Sequence, residues 1–246
     1  MRRWTCSSVW SKGVKSMEKL TILYEDNHLI VVVKPQNTPS MDDISGDESM
    51  YSLVKDYIKE KYQKTGNVFL GIVHRLDRPT GGIMIFAKTS KCAERLSKQI
   101  RDNEVHKTYY CVTTRSPKQR EETLTHYLKK DEKNNIVQIV PPLEKGAKKA
   151  VLHYKVLQTE GELALLEVKL ITGRSHQIRV QLASIGCAIY GDNKYGLNKS
   201  TSTKNLALWA GRIEFTHPVT KQKMTFAIAP SGNPFDKFYL DKYFLR

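Results

Sequence analysis

Two stretches that read as β-strands, residues 149–157 and 163–171, are separated only by a short link containing the turn signal Glu160-Gly161. A link that short cannot carry a crossover helix, so the two strands pair antiparallel and set the character of the sheet. Further strand-like runs lie at 21–24, 28–33, 82–87 and 105–113, and the second of them ends at Lys34-Pro35, where proline interrupts pairing. Residues 212–215 and 224–229 alternate as a hairpin around a proline-containing turn.

Helical spacing appears in three places. Leu53, Val54, Tyr57 and Ile58 give one apolar face over 51–63, after a polar loop at 37–49. Ser90 is placed to cap a helix that carries Ala93, Leu96 and Ile100. Ile178, Leu182 and Ile185 mark a third helix, with Gly186 as the residue that ends it. The aromatic-rich end, 234–246, is expected to dock as a short helix. Strands predominate, so the expected class is α+β: one domain over 18–246, with a mixed, largely antiparallel central sheet flanked by helices. Regular β-α-β-α alternation and any GxGxxG loop are absent, which argues against a nucleotide cofactor.

Charge bears on the partner. Forty Lys and Arg face twenty-five Asp and Glu, a formal net charge of +15, which suits an anionic partner such as nucleic acid and, equally, simple solvation by lysines. The four cysteines, Cys6, Cys92, Cys111 and Cys187, are scattered without metal-ligand spacing. They read as reduced thiols, and neither metal nor disulfide is expected. No apolar run has membrane-spanning length. Residues 1–17 read as a basic tail without acidic residues. Organelle targeting by 1–16, or a working start at Met17, are its other readings, and a cytoplasmic monomer is the expectation.

Three constellations could carry chemistry. Asp77 stands between Arg75 and Arg78 in VHRLDRPTGG; alone, such an aspartate is most simply a salt-bridged turn residue. In TGRSHQIRV, Arg174 lies in a turn, and His176 and Arg179 share one helical face and can address one site. In the strand 105–113, alternation sends Lys107 and Tyr109 to the same face, where a tyrosine could stack on a base or simply join the core.

Taken in order, these pieces resemble a known family. His74-Arg75-Leu76-Asp77-x-x-Thr80 is similar to the HRLDxxTSG motif of RluA-type pseudouridine synthases, and residues 172–179 resemble their TGRxHQIR. Lys107-Thr108-Tyr109 matches KxY, Lys34-Pro35 matches the lysine-proline that ends an early strand, and residues 191–196 match GDxxYG. The resemblance implies the pseudouridine synthase fold and an isomerase that converts uridines of structured RNA, ribosomal or transfer, without a cofactor. Asp77 would be the catalytic aspartate, Tyr109 would stack on the flipped base and help remove its C5 proton, and Arg179 would pair with Asp77 and keep it ionised. Arg75 would fill the space left in the RNA stack, with His74, Lys34, Lys107, Arg174 and His176 at the substrate; His176 is expected to hydrogen-bond rather than catalyse.

Gly81 replaces the serine of TSG, Gln181 a second histidine and Trp209 a frequent histidine, which bears on which RNA is bound. The segment before Leu20 is too short for the S4-type RNA-binding domain of many relatives, so recognition is expected to rest on the catalytic domain or a partner. The alternatives are a catalytically silent RNA-binding protein on the same scaffold, or a glycosylase that releases uracil. A zinc deaminase is disfavoured, since its ligand motif is absent.

Overall fold

In the computed structural model, residues 20–196 and 205–244 are described; the basic tail expected at 1–17 lies outside them. Eleven strands form one sheet. They are β1 (Thr21–Glu25), β2 (Leu29–Lys34), β3 (Gly71–Ile72), β4 (Gly81–Ala87), β5 (His106–Thr113), β6 (Glu121–Asp131), β7 (Ile136–Ile139), β8 (Lys148–Glu160), β9 (Leu163–Leu170), β10 (Leu208–Thr216) and β11 (Lys223–Ala227). The spatial order is β1-β2-β4-β10-β5-β9-β8-β6-β7, with β11 on β10 and β3 on β4. All these neighbours pair antiparallel except β4 and β10, which run parallel. The mixed, largely antiparallel sheet expected from the sequence is therefore the one observed.

Around β2 and β4 the sheet is covered on both sides, which explains the unbroken apolar run of β2. Leu29, Val31, Ile83 and Ile85 face Cys92 and Leu96 of helix α2 (Ser90–Arg101). Their neighbours Ile30, Val32, Met84 and Phe86 join the larger core that includes Met50, Leu53, Val54, Tyr57 and Ile58 of helix α1 (Met50–Lys61). Burying a side chain of this size contributes roughly 2 kcal/mol. Both faces of β2 and β4 are thus committed, so this part of the sheet can offer reactive residues only from the connections at its strand ends.

Helix caps fix where those connections turn. Ser49 caps α1 by accepting Ser52 N–H at 3.1 Å. The cap of α2 is Thr89, whose Oγ1 accepts Cys92 N–H at 3.2 Å; Ser90, expected as the cap, is the first helical residue. Helix α3 (Gln177–Ser184) ends as expected at Gly186, where φ is 78° and two backbone bonds, Gly186 to Ala183 and Cys187 to Leu182, close a Schellman turn. At the carboxyl end, Phe235 and Phe238 enter the core and helix α4 (Asp241–Phe244) sets Phe244 against Tyr110, ring centroids 4.6 Å apart.

The ribbon β6–β7 is an element that the sequence patterns did not reveal. Only Leu124 and Leu128 of β6 are fully buried, four residues apart, so the segment offers neither a clean two-residue alternation nor a helical stripe. It forms because β6 pairs with β8 over eight residues, from Glu121 with Lys155 to Leu128 with Lys148. Leu128, Val137 and Ala150 then make a small core of their own with Val180 of α3.

Candidate active site

Asp77 lies in the connection from β3 to β4, and three anchors hold that connection. Ser40 Oγ accepts Leu76 N–H at 3.1 Å and donates to Leu76 O at 2.6 Å. The Thr80 N–H closes a turn on Asp77 O at 2.9 Å. Lys34, fully buried, gives its ammonium protons to the carbonyls of Pro35, Thr38 and Arg78 at 3.0, 2.6 and 2.9 Å. Burial pulls the Lys34 pKa down to about 7, and the charge of Asp77 opposes that shift. Lys34 was expected at the substrate; instead its three N–H groups are consumed by the loops beneath Asp77, so it is a fastening of the site.

Arg179 reaches Asp77 from the first turn of α3, 102 residues away in sequence. Its NH1 donates to Asp77 Oδ2, while Nε and NH2 form a bidentate pair with Asp192, both at 2.8 Å. Asp192 is itself held by the N–H groups of Lys194 and Tyr195 at 2.9 and 3.0 Å. Burial would raise Asp192, but Arg179 and these donors hold it below its ordinary value. Burial would likewise lower Arg179, and the two carboxylates keep it above its usual range. A guanidinium clamped on one edge by Asp192 presents its other edge in a fixed direction, and Asp77 is where it points.

A cleft of about 1530 Å³ opens over this pair. His74, Arg75, Asp77, Lys107, Tyr109, Arg174, His176 and Arg179 line it, so eight of the nine residues expected at the site surround one space. Lys107 is half-buried, its ammonium has no hydrogen bond or ion pair to any described residue, and burial lowers its pKa. Tyr109 is almost fully buried, which pushes its phenol above the ordinary value and keeps it protonated near neutrality. That disfavours a phenolate base and suits a stacking surface. Arg174 Nε donates to Lys149 O at 3.0 Å and Arg75 is exposed at the rim.

His74 has a structural duty as well. Its Nε2 accepts Ile85 N–H at 3.0 Å, on the edge of β4 between the stretches paired with β3 and β10. Burial, with the charge of Lys107, holds it well below its usual pKa, so it is a neutral ring bound into the sheet rather than a cation for phosphate.

The cleft mouth carries an unexpected countercharge. The loop after β2 contains Asp42, Asp43, Asp47 and Glu48, and Asp43 and Asp47 pair with Arg78, next to Asp77. Arg78 NH1 also donates to Ser45 Oγ at 3.0 Å.

The three departures from the family pattern sit in the interior, away from the cleft lining. Gln181 is fully buried, its Nε2 within 3.2 Å of Leu124 O and 3.0 Å of His126 Nδ1. Gly81 and Trp209 face each other across the parallel pair β4–β10, and a Cβ on Gly81 would meet the Trp209 ring at 2.2 Å. Small at 81 and large at 209 are one packing solution, so these positions do not bear on the choice of RNA by contact. Ser40, Asp192 and Tyr195 were given no role from sequence. The GDxxYG match was the available signal for the last two, and nothing marked Ser40.

Among the described residues no three His, Cys, Asp or Glu side chains are grouped to hold a metal ion, and no described helix is long and apolar enough to cross a membrane. The arrangement offers an oriented carboxylate, a fixed cation behind it, an aromatic wall and a free lysine, in a space large enough for a nucleotide.

The sequence model of the family described as RNA pseudouridylate synthase matches residues 28–184. An uncharacterized RNA pseudouridine synthase of Synechocystis is 32% identical over 223 residues, covering 89% of this chain and 67% of that protein. The ribosomal large subunit pseudouridine synthase C of Vibrio vulnificus is 32% identical over 222 residues, 88% of this chain and 67% of its own. The solved structure of human RNA pseudouridylate synthase domain containing 4 has a TM-score of 0.73 over 89% of this chain and 92% of that one, at 23% identity, a likeness of fold.

Proposed function

Since the chain belongs to the RNA pseudouridylate synthase family, isomerases that act on uridines of RNA, we propose that Asp77 is its catalytic aspartate and that it acts on a uridine flipped from structured RNA. The observation that carries this reading is the Asp77–Arg179–Asp192 chain at the floor of the cleft. A binding protein has no need to aim a half-exposed carboxylate with a buried guanidinium. The uridine N1–C1′ bond breaks, the uracil turns, C1′ bonds to C5, and the C5 proton is lost while N1 gains one, so atoms balance without oxidant or added group.

In this reading Tyr109 stacks on the base as a neutral phenol, and Lys107 meets an anionic or carbonyl oxygen of the nucleotide. Arg75, exposed at the rim, enters the gap in the RNA stack, and Arg174 holds backbone phosphate. Ribosomal RNA is the first substrate to try, because the Vibrio relative is named for the large ribosomal subunit; transfer RNA is the second.

Tritium release from RNA labelled at uridine C5 tests the reading, with free uracil followed in parallel. Wild-type protein is expected to release tritium without free uracil, and Asp77→Ala to release none while still binding RNA. Free uracil would make the protein a glycosylase. RNA binding without release, on RNA from cells lacking the protein, would make it a silent binder.

A further inference from the structure

Tyr195 lies outside the aspartate–arginine pair, yet its hydroxyl joins two parts of the site. The oxygen accepts Val137 N–H, from β7, at 2.8 Å, and lies 2.7 Å from Nδ1 of His176. A phenol has one proton to give. With the Val137 N–H directed into the oxygen, Nδ1 of His176 is the one acceptor for that proton among the described residues. An imidazole that accepts at Nδ1 carries its own proton on Nε2 when neutral.

The Nε2 atom lies 3.6 Å from Asp77 Oδ2. The backbone adds to the picture. His176 caps α3 with φ 50°, in the left-handed region that costs a non-glycine residue about 1 kcal/mol, and its ring makes no capping bond. The strain instead turns the ring toward Asp77 and Tyr195. Burial, opposed in part by Asp77, lowers the pKa of His176, which agrees with a neutral ring.

We propose that Tyr195 is a positioning residue that orders His176 as an Nε2–H donor to the Asp77 carboxylate, and that it links this setting to strand β7 of the ribbon beside the cleft. The proposal rests on the reading of Asp77 as the catalytic aspartate. Its chemical content is a division of labour between the two carboxylate oxygens. Arg179 and His176 both address Oδ2, while Oδ1 takes only the Arg78 N–H at 3.0 Å. Oδ1 is therefore the oxygen left to act on the nucleotide. A separation of 3.6 Å is long for a hydrogen bond, and it closes when the base enters and excludes water, as catalytic contacts do. Val137 follows the turn that carries Asn135, and Asn135 and Lys130 line the cleft, so RNA seated against the ribbon presses on the strand that holds Tyr195.

The experiment reads the protonation of each His176 ring nitrogen by long-range ¹⁵N–¹H NMR on histidine-labelled full-length protein, with His176→Gln for assignment. Wild type is expected to carry its proton on Nε2. A proton on Nδ1 overturns the proposal with no variant needed. Tyr195→Phe is expected to mix or invert the tautomer and to slow single-turnover isomerisation about tenfold at unchanged RNA affinity. In the His176→Gln background the same change is expected to cost nothing further. A rate loss with the tautomer unmoved, or a loss that persists in the His176→Gln background, makes Tyr195 a mere anchor of the ribbon and overturns the proposal. If wild type is inactive on every RNA, the reading of function fails, and the tautomer still decides how Tyr195 sets His176.

Discussion

Arg179 serves two carboxylates at once, and that double duty fixes what can replace it. Lysine keeps the charge but cannot hold both oxygens of Asp192 and also reach Asp77. Arg179→Lys is expected to lower the single-turnover rate on the order of 10²-fold with RNA affinity retained, as measured by rapid quench and by filter binding. Nothing near Asp77 in sequence announces this partner: its neighbours Arg75 and Arg78 turn to the rim and to the acidic loop. Family motifs supplied the pairing with Arg179, whereas the second partner, Asp192, exists only through tertiary contact. Lys34 shows the opposite failure. The family match put this lysine at the substrate, yet both faces of β2 are buried and among the described residues its ammonium is bonded by loop carbonyls.

Elements that bury a regular stripe were legible. The strands 28–33, 82–87 and 105–113 and all three long helices appear within about two residues of expectation, because packing against the sheet imposes its own period on the sequence. The ribbon β6–β7 was not, because pairing with β8 holds it more than burial does. Close packing between elements was equally invisible. Gly81→Ser, which looks like a return to the usual motif, is expected to destabilise the protein by about 2 kcal/mol in urea unfolding, since the Trp209 ring occupies the space. Adding Trp209→His should recover much of that loss, with a coupling of about 1–3 kcal/mol in the double-mutant cycle.

A second element-level prediction concerns acid. Glu25 of β1 receives Lys61 and Lys88 at 2.6 Å each and the hydroxyls of Tyr57 and Tyr62 at 2.9 Å, which pins the end of α1 to the sheet. Burial would raise its pKa, but these donors lower it from 4.5 to about 2. A depressed carboxylate stabilises the fold above its unfolded value, and that support is lost as pH falls. Glu25→Gln should therefore weaken the fold at pH 7, by about 1–2 kcal/mol once solvent screening is allowed for, and by far less at pH 2, by urea titration at the two pH values.

For the molecule as a whole, a net charge of +15 puts much of the affinity for RNA into phosphate contacts and counterion release. Affinity is expected to fall on the order of 10²-fold between about 50 and about 200 mM salt, while the rate at saturating RNA changes little; titrations across that range check it. Against this background the acidic loop on Arg78 has a consequence for small competitors. Asp43 and Asp47 are tethered, so Arg78 always sees them at an effective concentration in roughly the millimolar range or above. A free mononucleotide offering a single phosphate must outbid a ligand that never diffuses away. In the proposed complex an RNA strand held at Arg75, Lys107 and Arg174, which line the cleft, is tethered too and meets the loop on equal terms. In that complex the loop would make the cleft count points of attachment and would favour the polymer over the free nucleotide.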